Sequence, residues 1–185
     1  MTSMIAVIGD SDIEPNGEKW SLAVSIGRGL VDEGFRIVTG GLGNLPRAVA
    51  EGARKSPKYR EGALMTILPS YDPSDAESSA DVVIATGLDH ARNLIVANGD
   101  AVVAIGGGAG TLSEIALAWA LKRLIIALKV PGWSGKLAGT RIDDRMRYSH
   151  MKDGRIHEAK SSDEVTKLLK KLVPLYNARP FENRC

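Results

Sequence analysis

The chain has 185 residues, 44% of them hydrophobic and 25% charged, the composition of an ordinary soluble globular protein long enough to bury a core. Its 24 basic and 22 acidic residues leave a formal charge of +2, too even a balance to point to nucleic acid or a membrane surface. The single cysteine, Cys185, rules out an intramolecular disulfide or a cysteine-rich metal site, and no apolar run reaches the roughly 18 residues of a membrane span. No signal-peptide pattern opens the chain, so a reducing cytoplasm is the expected setting.

In chain order, Met4 to Gly9 reads as a buried strand ending in glycine, followed by the polar loop Asp10 to Gly17. Glu18 to Glu33 carries Leu22, Val24, Ile26, Leu30 and Val31 at roughly helical spacing, with Gly34 at the position just past the helix end. Phe35 to Thr39 is the second strand. It runs into Gly40-Gly41-Leu42-Gly43, and a helix follows from about Leu45 to Lys55. Strands follow at Ala63 to Leu68 and Val82 to Ala85, separated by a loop rich in Ser, Asp and Pro. A helix from about Leu88 to Asn98 leads to the fifth strand, Asp100 to Ile105. Helix-forming residues continue from Leu112 to Arg123, and Leu124 to Leu128 is the sixth strand. The segment Trp133 to Lys152 is polar without a clear period. A short strand is expected near Arg155-Ile156, and an amphipathic helix from Ser162 to Leu172, capped by Ser161 or Ser162, closes the pattern.

Apolar strands alternating with helices predict one α/β domain over residues 1–185. It is a Rossmann-like three-layer sandwich whose mostly parallel sheet has six or seven strands and is covered on both faces. Right-handed crossovers bring the strand-to-helix loops to the carboxyl edge, where such folds bind ligands. Gly9, Ser11, Gly40, Gly41, Asn44 and the run Gly106-Gly107-Gly108-Ala109-Gly110-Thr111 should therefore line one crevice. That run holds four glycines in five residues between a strand and a helix. Bare backbone N–H groups at a helix N-terminus are suited to an anion such as phosphate. Two nucleotide motifs are excluded. No lysine stands between Gly110 and Thr111, as a triphosphatase loop requires, and no Gly-x-Gly-x-x-Gly follows the first strand.

Glu114, on the first turn after the glycines, is either a helix-start acid or a group facing the crevice as general base or hydroxyl acceptor. Arg92 is either a surface arginine or a fork for phosphate in the same crevice. A carboxylate buried beside an arginine is expected to stay ionised. The three scattered histidines, His90, His150 and His157, predict no metal site. Trp20, Trp119 and Trp133 suit core or interface positions. The cluster Arg141, Arg145, Arg147, Lys152 and Arg155, interleaved with acids, suits a solvated loop, a subunit contact or a lid.

The stretch Gly107 to Glu114, with Ala91-Arg92-Asn93 upstream, resembles the Rossmann-like family of the LONELY GUY cytokinin-activating phosphoribohydrolases, many of them once labelled lysine decarboxylases. That family carries Pro-Gly-Gly-x-Gly-Thr-x-x-Glu and an Arg-Lys pair. Here Ile105-Gly106 replaces the proline and Asn93 the lysine. The Ile-Gly-Gly-Gly form is more similar to the branch of the molybdenum cofactor carrier proteins. The resemblance implies a phosphorylated small molecule as partner and a homodimer or homotetramer. No cofactor is required for chemistry, and the molybdenum cofactor is a candidate bound ligand. The expected function is binding of a phosphate-bearing nucleotide-like or pterin ligand. The alternative is hydrolysis of the N-glycosidic bond of a nucleoside 5′-monophosphate, for which the resemblance implies Arg92 and Glu114 as catalytic pair.

Overall fold

The computed structural model describes residues 2–76, 79–148, 150–151 and 154–176; Lys152 and Cys185, singled out in the sequence, lie outside them. The elements are β1 (Met4–Gly9), α1 (Glu18–Asp32), β2 (Arg36–Thr39), α2 (Asn44–Arg54), β3 (Leu64–Leu68), β4 (Val82–Ala85), α3 (Asn93–Ala97), β5 (Ala101–Ile105), α4 (Ala109–Ala120), β6 (Leu124–Leu128), α5 (Trp133–Leu137), β7 (His157–Ala159) and α6 (Ser162–Tyr176). The seven strands form one parallel sheet in the order β4-β3-β2-β1-β5-β6-β7, a Rossmann-like α/β sandwich. The alternation of strand and helix dictates this, because parallel neighbours need a crossover helix between them.

Two apolar layers flank the sheet. On one face Ile5, Val7, Val103 and Ile126 pack against α1, α2 and α6 through Ile26, Leu30, Val49 and Leu169. On the other, Ala6, Ile8, Val102 and Ile125 meet α3 and α4 through Val96, Ile115, Ala118 and Trp119. Strands β5 and β6 are buried at every position. Edge strand β4 departs from the expected double cover. Val82 and Ile84, on the same face as Met65 and Ile67 of β3, are 38% and 44% exposed.

Helix ends follow local chemistry. Gly34, with φ +82°, terminates α1: its N–H donates to Val31 O (2.9 Å), and the Phe35 N–H donates to Leu30 O (3.0 Å). Helix α4 ends in the same way, with its last helical residue Ala120 three residues short of the expected end at Arg123 and Lys122 at φ +57°. There the Arg123 N–H reaches Ala118 O (2.9 Å), without a glycine to announce the stop. Ser161 caps α6 by accepting the Glu164 N–H at its Oγ (3.3 Å).

Other expectations need correction. The helix expected from Leu88 to Asn98 is a 3₁₀ turn, Asp89–Arg92, followed by the five residues of α3. The last strand sits two residues beyond Arg155-Ile156. Helix α5 lies in a segment whose five helical residues are too few to show a period. Arg147 is no solvated loop residue. It is 5% exposed, its guanidinium lies 4.2 Å from the centre of the Trp119 ring, and its Nη2 donates to Arg123 O (2.6 Å).

Candidate functional site

Strand order reverses between β1 and β5. From β1 the chain continues outward through β2, β3 and β4, whereas β5 continues through β6 and β7 on the other side. Loops leaving two such strands diverge to opposite faces and open a crevice at the carboxyl edge. A cavity of about 410 Å³ lies there. Of the residues singled out in the sequence, Gly9, Ser11, Gly40, Arg92, Gly108, Gly110, Thr111 and Glu114 line it. Gly41, Asn44, Gly106, Gly107 and Ala109 are not among the lining residues. Asn44 instead ties the loop after β1, donating its backbone N–H to Ser11 O (2.7 Å) and its side-chain Nδ2 to Ile13 O (2.9 Å). Asp10 also faces the cavity, ion-paired with Lys19 of α1.

The glycine turn is held from behind. Gly106 and Gly107 have φ +66° and +94°. Their carbonyls accept the N–H groups of Ser134 and Trp133 at the start of α5 (both 2.9 Å). The Ser134 hydroxyl, fully buried, accepts the Gly106 N–H (2.7 Å) and donates to Leu128 O (2.7 Å). With its carbonyls drawn toward α5, the turn leads directly into α4, whose first hydrogen bond runs from the Leu112 N–H to Gly108 O (3.0 Å). The amides of Ala109, Gly110 and Thr111 precede that bond and, as in any helix start, have no intrahelical acceptor. A Cβ placed on Gly108 or Gly110 would meet no atom within 4 Å, so the approach to these amides is open. Thr111 Oγ1 donates to Gly9 O (3.0 Å) and locks the first turn of α4 onto the end of β1.

Arg92 and Glu114 meet on the cavity wall. Arg92 Nη1 lies 3.2 Å from Glu114 Oε1, and both side chains are largely buried. Gly40 makes room for the guanidinium: a Cβ there would lie 2.3 Å from Nη1. Arg92 Nε is buried without a hydrogen-bond partner. Burial pushes the Glu114 carboxyl up to about 7, and the attraction of Arg92 only partly offsets it. The expectation of a fully ionised carboxylate is therefore corrected, because desolvation outweighs the ion pair. The same burial lowers Arg92 from its usual value. Asn93, buried beside them, donates through Nδ2 to Ser113 Oγ (2.8 Å), which donates to Gly110 O (2.6 Å).

Some of these positions carried a signal that reading by motif passes over. The buried residues of α4 are Thr111, Glu114, Ile115, Ala118 and Trp119, a helical stripe in which an acid occupies a core position. Leu45 and Pro46 line the cavity because they begin a helix after an inner strand. Ser134, 28 residues from Gly106, carried none. Among the described residues no three His, Cys, Asp or Glu side chains gather as a metal cluster. Among them, too, no helix is long and apolar enough to cross a membrane.

Fold and site together define a single-sheet, Rossmann-like α/β protein with a glycine turn at the topological switch point. The sequence model of the SLOG cluster4 family matches residues 2–166, and the chain belongs to that family. It is 36% identical over 128 residues to an uncharacterized protein of Archaeoglobus fulgidus, a match spanning 69% of this chain and 80% of that one. Among solved structures it is similar to TM1055, with 26% identity, a TM-score of 0.79, and coverage of 92% of this chain and 100% of that chain. It is also similar to the molybdenum cofactor binding protein of the phototrophic bacterium Rippkaea orientalis, with 27% identity, a TM-score of 0.73, and coverage of 94% and 98%.

Proposed function

We propose that this chain binds a phosphate-bearing small molecule, a pterin of the molybdenum cofactor type or a nucleotide, with the phosphate against the first turn of α4. The observation that carries the reading is the bare approach over Gly108 and Gly110 on the cavity wall. Phosphate oxygens can reach the leading amides of a helix only where no side chain stands in front, and there the helix dipole favours negative charge. The cavity volume of about 410 Å³ falls within the roughly 300–1,000 Å³ common for small-molecule sites. The likeness to the Rippkaea orientalis protein supports a pterin ligand. Arg92, with a buried Nε that has no partner, adds positive charge to the same wall.

The test is equilibrium binding of molybdopterin, GMP and AMP to the wild type and to Gly108→Val. Gly108 has a negative φ of −96° with ψ −150°, at the edge of the extended region, and an added side chain would project into open space. The variant should keep its circular dichroism spectrum and lose at least about tenfold in affinity, the worth of one charged hydrogen bond. Unchanged affinity overturns the reading.

A second reading is favoured by the Arg92–Glu114 pair. A carboxyl titrating near neutrality can take and return a proton at working pH. In N-glycosidic hydrolysis, water would attack C1′ of a nucleoside 5′-monophosphate and pass its proton to Glu114. The C1′–N bond breaks, the base leaves with a proton, and ribose 5-phosphate remains. Arg92 would hold the sugar phosphate or the charge on the departing base. Free base detected by chromatography with the wild type, and lost in Glu114→Gln, establishes this reading; no release from any nucleotide removes it.

A further inference from the structure

We infer that Leu42 is the platform on which the planar ring of the ligand lies, so that the ligand runs from its phosphate at α4 to its ring on the loop between β2 and α2. The inference rests on the reading above that the cavity takes a phosphate-bearing ligand. Leu42 lines the cavity yet is 44% exposed. Leu45 and Pro46, on the first turn of α2, continue an apolar wall beside it. Thr111, Glu114 and the leading amides of α4 supply polar groups to the same cavity. The cavity thus offers both an apolar surface and polar groups to a ligand.

The loop that carries Leu42 is clamped on both sides. Gly41 and Gly43 have φ +77° and +79°, conformations that other residues rarely adopt. A Cβ on Gly41 would stand 2.3 Å from Thr66 Cγ2, and one on Gly43 would stand 2.2 Å from Ser11 O. Just past Gly43, the Asn44 N–H is bonded to Ser11 O (2.7 Å). In this loop conformation the apolar surface of Leu42 is left exposed on the cavity. Covering that surface is favourable in proportion to the area removed from water. A flat ring covers a branched aliphatic side chain over its whole face and still leaves its polar edge free for groups such as Asp10 and Ser11 on the same cavity.

Binding of ring-bearing and ring-free phosphates separates this inference from the reading beneath it. The ring-bearing probes are molybdopterin, GMP and AMP; the ring-free probe is ribose 5-phosphate, measured by competition. Leu42→Ala should weaken the ring-bearing ligand by roughly fivefold, the effect of uncovering about half a leucine side chain. It should leave ribose 5-phosphate within about twofold of wild type, the limit set by a change that removes no hydrogen bond to phosphate. Leu42→Met, which keeps apolar surface at the same place, should restore ring binding. Equal losses for both kinds of ligand, or no loss for either, overturn the inference while leaving the phosphate site standing. Failure of the wild type to bind any of the four phosphates overturns both.

Discussion

Replacing Gly110 with alanine should make the protein more stable and a poorer binder at once. Gly110 is the second residue of α4, where its backbone is already helical. A Cβ added there meets no atom within 4 Å, so there is no steric penalty. Alanine in a helix is favoured over glycine by roughly 0.5–1 kcal/mol, chiefly because glycine loses more backbone freedom on folding. For a chain of this size each kcal/mol raises Tm by about 2–4 °C, so the expected gain is about 1–4 °C. The same methyl group lies on the cavity wall, and Cβ atoms tilt toward the helix N-terminus, where the phosphate is proposed to sit. Loss of one charged amide–phosphate hydrogen bond, about 1.5–3 kcal/mol, corresponds to a ten- to roughly hundredfold weaker Kd. Differential scanning calorimetry and isothermal titration with GMP or molybdopterin read the two effects on one sample. A lowered Tm would show that Gly110 serves packing, and wild-type affinity at raised Tm would show that the anion does not approach over this residue.

Two further substitutions test the supports of the site. Ser134→Ala strands the buried Gly106 N–H, while Leu128 O keeps the Val130 N–H (2.9 Å), and should cost about 1–3 kcal/mol in urea unfolding together with ligand affinity. A cost below about 0.5 kcal/mol, the range of ordinary surface changes, would mean that α5 does not hold the turn. Glu114 gives a pH dependence with a defined sign. Its carboxyl is raised from 4.5 to about 7 in the folded state, so the folded protein binds the proton more tightly than the unfolded chain. That contribution to stability is fully present below about pH 4.5 and is lost as pH rises through about 7. Glu114→Gln mimics the protonated form. It should match the wild type at pH 4.5 and exceed it at pH 8 by up to about 3 kcal/mol, taking about 1.4 kcal/mol per pH unit. A variant less stable than wild type at pH 8 would mean that the Arg92 ion pair outweighs burial.

The sequence alone determined the sheet and the edge at which a site would form. Apolar strands of about five residues separated by helices leave few arrangements other than a covered parallel sheet, and glycines at strand ends mark the carboxyl edge. Gly34 announced the end of α1 because the conformation it adopts is a local property of that residue. Such features depend on neighbours along the chain. The ends of α4 were not legible in this way, since Lys122 takes a left-handed conformation without being glycine.

Tertiary structure decided the rest. Helix α5 is too short to declare itself by period, and it matters because two of its amides and the Ser134 hydroxyl meet a turn 28 residues earlier in the chain. Arg92 and Glu114, 22 residues apart, meet only because α3 and α4 pack side by side on one sheet face. Whether Glu114 is charged followed from neither residue type nor spacing. It followed from how much water the fold removes from a carboxyl on the buried stripe of α4, a quantity that exists only once the sheet, the glycine loop under Arg92 and the helix have come together.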